Sequence, residues 1–169
     1  SSLAWSLAGL ALVPGRAALA AAAAAADGMQ TRPVPSSGER LPVIGMGTAD
    51  SFNVGEGPAE REPLREVMRR FFAGGAALID TAPSYGSAEG VIGDLLAELG
   101  LRPRAFIATK IGTSGRAAGL EQFQRSLRLL RTEKVELLQV HNLVDWKTQL
   151  ALINELKAQG KTRYSGVTH

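Results

Sequence analysis

The chain has 169 residues, 45% hydrophobic and 21% charged, with a formal net charge of +3. That is the make-up of one ordinary folded domain, and its basic residues are scattered rather than gathered into a stripe, so nucleic acid is excluded as an expected partner. Without cysteine there is no disulfide framework, thiol nucleophile or thiolate site, and only two distant histidines, His141 and His169, are available for a metal, so none is expected.

The segment 1–28 differs from everything after it. Leu3 to Val13 is almost wholly apolar, and Ala17 to Ala26 is alanine with one leucine. An apolar run followed by small residues in A-x-A order reads as the hydrophobic region and cleavage zone of an export signal. Pro14, Gly15 and Arg16 interrupt it too early for a membrane span, so no stable anchor is expected. The chain opens on Ser1 without a basic stretch, which leads to the expectation that its start is missing. An exported or periplasmic location follows, with the cytoplasm as the alternative, and a twin-arginine route would suit a cofactor-loaded enzyme.

Residues 29–169 read as one domain. Gln30 to Pro35 and Glu39 to Leu41, joined by Ser36, Ser37 and Gly38, predict a short hairpin able to cap the bottom of a barrel. Strands are then predicted at Val43 to Gly47, Ala77 to Asp80, Phe106 to Thr109, Leu137 to Val140 and Arg163 to Thr168. Their spacing of about 30 residues is the size of one βα unit. The intervening segments carry apolar residues on one helical face: Leu64, Val67, Met68, Phe71 and Phe72; then Val91, Ile92, Leu95, Leu96 and Leu99. A third helix carries Leu120, Phe123, Leu127 and Leu130, and a fourth Leu150, Ile153 and Leu156. Gly74, Gly100 and Gly160 close three of the four.

This alternation implies a parallel sheet, either doubly wound or closed. A doubly wound dinucleotide fold would run its first strand into G-x-G-x-x-G, but Gly45 and Gly47 lead instead into Thr48, Ala49 and Asp50. Polar residues stand at the C-terminal ends of separate strands, as in an eight-stranded βα barrel. The expected fold class is therefore α/β, a (βα)8 TIM barrel represented by its hairpin and first four to five units. A full barrel takes roughly 250 residues, so the chain is expected to be truncated after its fifth strand.

Brought to one mouth, Asp80, Tyr85, Lys110 and His141 would reduce a carbonyl. A phenol is a reluctant acid at neutral pH, and an adjacent ammonium favours its phenolate. Lys110 can supply that ammonium, and Asp80 can hold it charged and oriented. His141 can donate to the carbonyl oxygen, leaving proton delivery to Tyr85. Taken singly, each residue reads more readily as a cap, a turn aromatic or a solvated strand end than as a catalytic group, and it is the set that points to chemistry.

The segments LPVIGMGT, IDTAPSYGSAE, FIATK, ELLQVHN and RYSGVTH stand in the order found in the aldo-keto reductase family, which residues 30–169 resemble. The resemblance implies NADPH-dependent reduction of an aldehyde or ketone, with NADP(H) bound without a Rossmann domain. It further implies Tyr85 as proton donor, Lys110 as the cation easing release of that proton, Asp80 as its partner and His141 as the substrate-orienting residue. Gly47 and Thr48 would lie near the nicotinamide, and Thr168 and His169 at the position of a Ser and Asn pair that holds its carboxamide. Ala49 stands where an aromatic often follows, which implies a more open substrate pocket.

In the family, later strands and loops supply the nicotinamide-stacking aromatic and the residues on the 2′-phosphate, so tight cofactor binding is not expected of this stretch alone. The expected partner is a small-molecule carbonyl substrate; the oligomeric state stays open. Three alternatives are carried: a non-catalytic NADP-binding regulatory subunit on the same barrel, an inactive fragment, and a barrel enzyme whose Lys110 forms a Schiff base.

Overall fold

The structure is a computed structural model that describes residues 28–169. The export signal expected within residues 1–28 therefore falls almost entirely outside the described residues. Among the described residues, no helix is long and apolar enough to cross a membrane.

The described residues open with an antiparallel hairpin, β1 (Thr31–Pro33) and β2 (Arg40–Pro42), turned at Pro35 to Ser37. There follow β3 (Gly45–Gly47), α1 (Pro58–Ala73), β4 (Leu78–Asp80), α2 (Ala88–Glu98), β5 (Phe106–Ile111), α3 (Arg116–Leu129), β6 (Val135–Val140), α4 (Trp146–Ala158) and β7 (Thr162–Val167). The five strands β3 to β7 form one parallel sheet in sequential order, β3-β4-β5-β6-β7. Strand-helix alternation with each new strand added beside the last is the winding of a βα barrel.

Strand alternation divides the work between the faces of the sheet. On β5, Ile107 and Ile111 enter the main core with Leu95, Leu96, Phe123 and Leu130, while Phe106, Ala108 and Lys110 occupy the opposite face. That core is the helix side, where Met68 and Phe72 of α1, Val91 and Ile92 of α2, and Leu152, Ile153 and Leu156 of α4 are buried. On the other face the Phe106 and Tyr164 rings stack at 6.0 Å, over the intervening strand β6. Below them the hairpin is fastened to β7: Ser37 Oγ lies 2.7 Å from the Tyr164 hydroxyl, and Arg163 reaches both Glu39 carboxylate oxygens at 3.0 Å. These contacts lower the Glu39 pKa, the Tyr164 hydrogen bond being the largest cause.

Each barrel strand differs from its predicted bounds by one or two residues at one or both ends, and two of these differences matter for the site. Val43 is not part of the first barrel strand, because its N–H donates to Gln30 O at 2.9 Å and so extends the hairpin ladder. The third predicted strand runs two residues further, because Ile111 is buried and pairs with Val140. Lys110 therefore sits inside β5, opposite Gln139, rather than in the loop after it.

Candidate active site

The C-terminal ends of β4, β5 and β6 bring the four predicted residues together. Asp80 ends β4, level with Gly47 of β3 and Ala108 of β5. Lys110 shares its face of the sheet, and the register sets its side chain beside Asp80. Lys110 Nζ donates to Asp80 Oδ2 at 2.7 Å and to Thr81 O at 2.9 Å. The lysine is only 3% exposed, whereas the Asp80 side chain is 36% exposed. An ammonium this deep stands only with a partner, and Asp80 is placed to be both that partner and the link to solvent.

Tyr85 arrives from the β4-α2 loop. Its N–H donates to Ala82 O at 3.0 Å, and its own carbonyl accepts from Ala88 N–H at 3.1 Å, so the loop is a tight pair of turns. Gly86 permits it twice over: its φ is +59°, and a Cβ there would lie 2.1 Å from Asn53 Oδ1. That oxygen accepts from Ser87 N–H at 3.1 Å, while Ser87 Oγ donates to Val54 O at 2.7 Å. The β3-α1 loop thus pins the loop that carries the phenol. The Tyr85 ring lies beneath Lys110 Nζ, 5.1 Å from its centroid, and meets the His141 ring edge-on at 6.0 Å.

His141 follows β6 directly. Burial is the main cause lowering its pKa, the Lys110 charge adds to that effect, and Asp80 opposes both. The imidazole is therefore neutral at neutral pH, with one N–H to donate. The turn after it is unusual: Asn142, Leu143 and Asp145 adopt φ of +51°, +54° and +44°. Two side chains hold that turn. Asp145 Oδ2 accepts from Gly115 N–H at 2.8 Å, and Gln149 Nε2 donates to Thr113 O and Gly115 O at 3.0 Å each.

Of the residues expected around a nicotinamide, Gly47 and Thr48 line a cleft of about 310 Å³ with Ala49, Asp50, Ser51, Asp80 and Tyr85. A Cβ at Gly47 would meet nothing within 4 Å, so the strand end is open there. Thr48 is buried and its hydroxyl donates to Asp80 O at 2.9 Å, which commits that proton to joining β3 and β4. Ala49 is exposed at the wall of the cleft. Thr168 is half-buried, its N–H donating to Val140 O at 2.9 Å, and His169 is exposed. Sequence reasoning did not single out Asn53, Thr81, Asp145 or Gln149; Asn53 and Asp145 read as ordinary loop and cap residues until their partners are seen. Among the described residues, no cluster of potential ligands could hold a metal.

The sequence model of the aldo/keto reductase family matches residues 43–169. The chain belongs to that family. The chain is 32% identical over 148 residues to methylglyoxal reductase YeaE of Escherichia coli (strain K12), covering 83% of this chain and 50% of the relative. Its identity to aldo-keto reductase YhdN of Bacillus subtilis (strain 168) is 30% over 156 residues, covering 83% and 47%. An aldo-keto reductase of Klebsiella pneumoniae, solved in complex with NADPH, superposes with a TM-score of 0.69 at 29% identity, over 83% of this chain and 50% of the other. The chain thus spans about half the length of the curated relatives it matches. Strands β3 to β7 are the corresponding part of a TIM barrel. The family's members are oxidoreductases, and NADP(H) binds within the family.

Proposed function

We propose that this chain carries the reducing centre of an NADP(H)-dependent enzyme that interconverts an aldehyde or ketone with its alcohol. The observation that carries the reading is the buried Lys110 ammonium, anchored by Asp80 and Thr81 O and poised over the Tyr85 ring, with the neutral His141 edge-on to the same ring. The Tyr85 hydroxyl makes no hydrogen bond to the described residues, so it is available to a substrate oxygen.

A carbonyl oxygen placed between Tyr85 and His141 would accept from both. His141 fixes the approach angle, and Tyr85 gives up its proton as charge builds on that oxygen. Lys110 stabilises the phenolate left behind, and Asp80 keeps Lys110 from turning away. The residues around the Gly47 cleft fit the planar reacting end of a nicotinamide. Gly47 and Thr48 would face its ring, and Thr168 and His169 would hold its carboxamide. The reduced cofactor, when bound, supplies the hydride that reaches the carbonyl carbon. The open side at Ala49 supports a substrate broader than the smallest aldehydes. A Schiff base on Lys110 is disfavoured, because its ammonium is committed to Asp80 and Thr81 O.

The test is NADPH consumption by the complete gene product with a panel of aldehydes and ketones, beside Tyr85→Phe. The variant is expected to lose about 10²- to 10⁴-fold in kcat with unchanged stability. Turnover surviving in the variant removes Tyr85 as the proton donor. NADPH binding without any turnover brings forward the regulatory-subunit reading.

A further inference from the structure

Glu89 is the second residue of α2, four residues after Tyr85, and it is 2% exposed. Its carboxyl is not a surface charge of the helix, since it faces the sheet. Thr109 Oγ1 donates to Glu89 Oε1 at 2.7 Å, and Ser126 Oγ of α3 lies 3.1 Å from Oε2. Thr109 precedes Lys110 on β5, and the alternation of the strand sends the two side chains to opposite faces. Through this carboxyl the first turn of α2, which follows directly on the Tyr85 loop, is bonded from the helix side to the strand that carries Lys110 and to α3.

We propose that Glu89 is a positioning residue that fixes the Tyr85 ring against Lys110 by hydrogen-bonding the first turn of α2 to the outer face of β5. The proposal rests on the reading of Tyr85 and Lys110 as the reacting pair.

The wiring tolerates either protonation state. Burial raises the Glu89 pKa, against the opposing effects of Thr109, Ser126, Arg125 and Lys110. As a carboxylate, Glu89 accepts from both hydroxyls. With a proton on Oε2 it donates to Ser126 Oγ, whose own hydrogen then turns to Gln122 O, 3.2 Å away. In both states the bond from Thr109 to Oε1 survives. A glutamine would reproduce the second arrangement, its amide nitrogen donating to Ser126 Oγ, whereas methionine fills the space but accepts nothing. Thr109→Val breaks the same link from the strand side with little change of volume.

In the complete gene product, isotope-labelled tyrosine and lysine, with Tyr85→Phe identifying the Tyr85 signals, give a readable NMR signature: the cross-peak between the Tyr85 ring protons and the Lys110 ε-methylene. Wild type and Glu89→Gln are expected to keep it. Glu89→Met and Thr109→Val are expected to lose it while the core methyl signals stay in place. In turnover by the complete gene product, Thr109→Val should lower kcat by about tenfold to a hundredfold with KM within about twofold, the cost of a misplaced reacting group. If Glu89→Met does not fold, Thr109→Val decides. A cross-peak unchanged in folded Thr109→Val, lost equally in Glu89→Gln, or absent from wild type overturns the proposal. A wild-type protein that reduces no carbonyl, yet shows a cross-peak dependent on Glu89 and Thr109, leaves the clamp standing and removes the reductase reading.

Discussion

Replacing Lys110 with methionine tests the charge logic of the site. Methionine fills nearly the same space, so the change removes the ammonium and little else. Two groups lose their partner, Asp80 Oδ2 at 2.7 Å and Thr81 O at 2.9 Å. Asp80 is 36% exposed and can turn to water, so the loss of stability should be about 1–2 kcal/mol, below the cost of orphaning a fully buried charge. The catalytic effect is larger. At the 5.1 Å between Nζ and the Tyr85 ring centroid, with an effective dielectric of about 20, an ammonium stabilises a phenolate by about 3 kcal/mol. The Asp80 carboxylate offsets part of that, leaving an expected fall in kcat of about ten- to a hundredfold. The assay is kcat at saturating carbonyl and NADPH, with urea unfolding on the same preparations. A kcat within about threefold of wild type, or a loss confined to KM, would mean that Lys110 binds rather than assists proton transfer.

Other expectations follow from single contacts. Burial and Lys110 hold the His141 pKa below 6.5, so between that lowered value and 6.5 the unfolded chain binds more protons than the folded one. His141 therefore contributes stability that is complete above pH 6.5 and is lost as pH falls through the folded-state value. Thermal unfolding across this range should be less pH-dependent in His141→Gln, and an unchanged profile would refute the assignment. Gly93 lies where α2 crosses α3, and a Cβ there would sit 2.1 Å from Leu129 O and 2.8 Å from Leu130 Cα. Gly93→Ala should lower stability by about 2 kcal/mol or more despite its better helix propensity, and an unshifted urea midpoint would show that the two helices can move apart freely.

The order of strands and helices was legible because burying one face of each element leaves a local period in the chain. The hairpin was legible from its turn residues, and the four candidate site residues from their positions at or just after successive strand ends. What the local pattern could not supply were partners. Glu89 opens an amphipathic helix like any first-turn acid, and only the packing shows its carboxyl bonded to Thr109 and Ser126, 20 and 37 residues away. Thr48 follows the first barrel strand with no sign of its partner, and only the fold shows its hydroxyl bonded to Asp80 O, 32 residues distant. Asp145 resembles an ordinary helix cap, and its left-handed φ becomes understandable only beside Gly115.

The amino-acid sequence by itself determined the alternation of elements and the sheet type, since each depends on the residue types within one or two turns or strands. The tertiary structure decided that Lys110 lies inside its strand, that Val43 belongs to the hairpin, that Asn53 is bonded to the tyrosine loop, and that Glu89 is bonded to β5 and α3. Hydrophobic burial is non-directional and leaves its period in the chain, whereas a hydrogen bond needs two atoms within about 3 Å at a set angle. Only the folded register brings such atoms together.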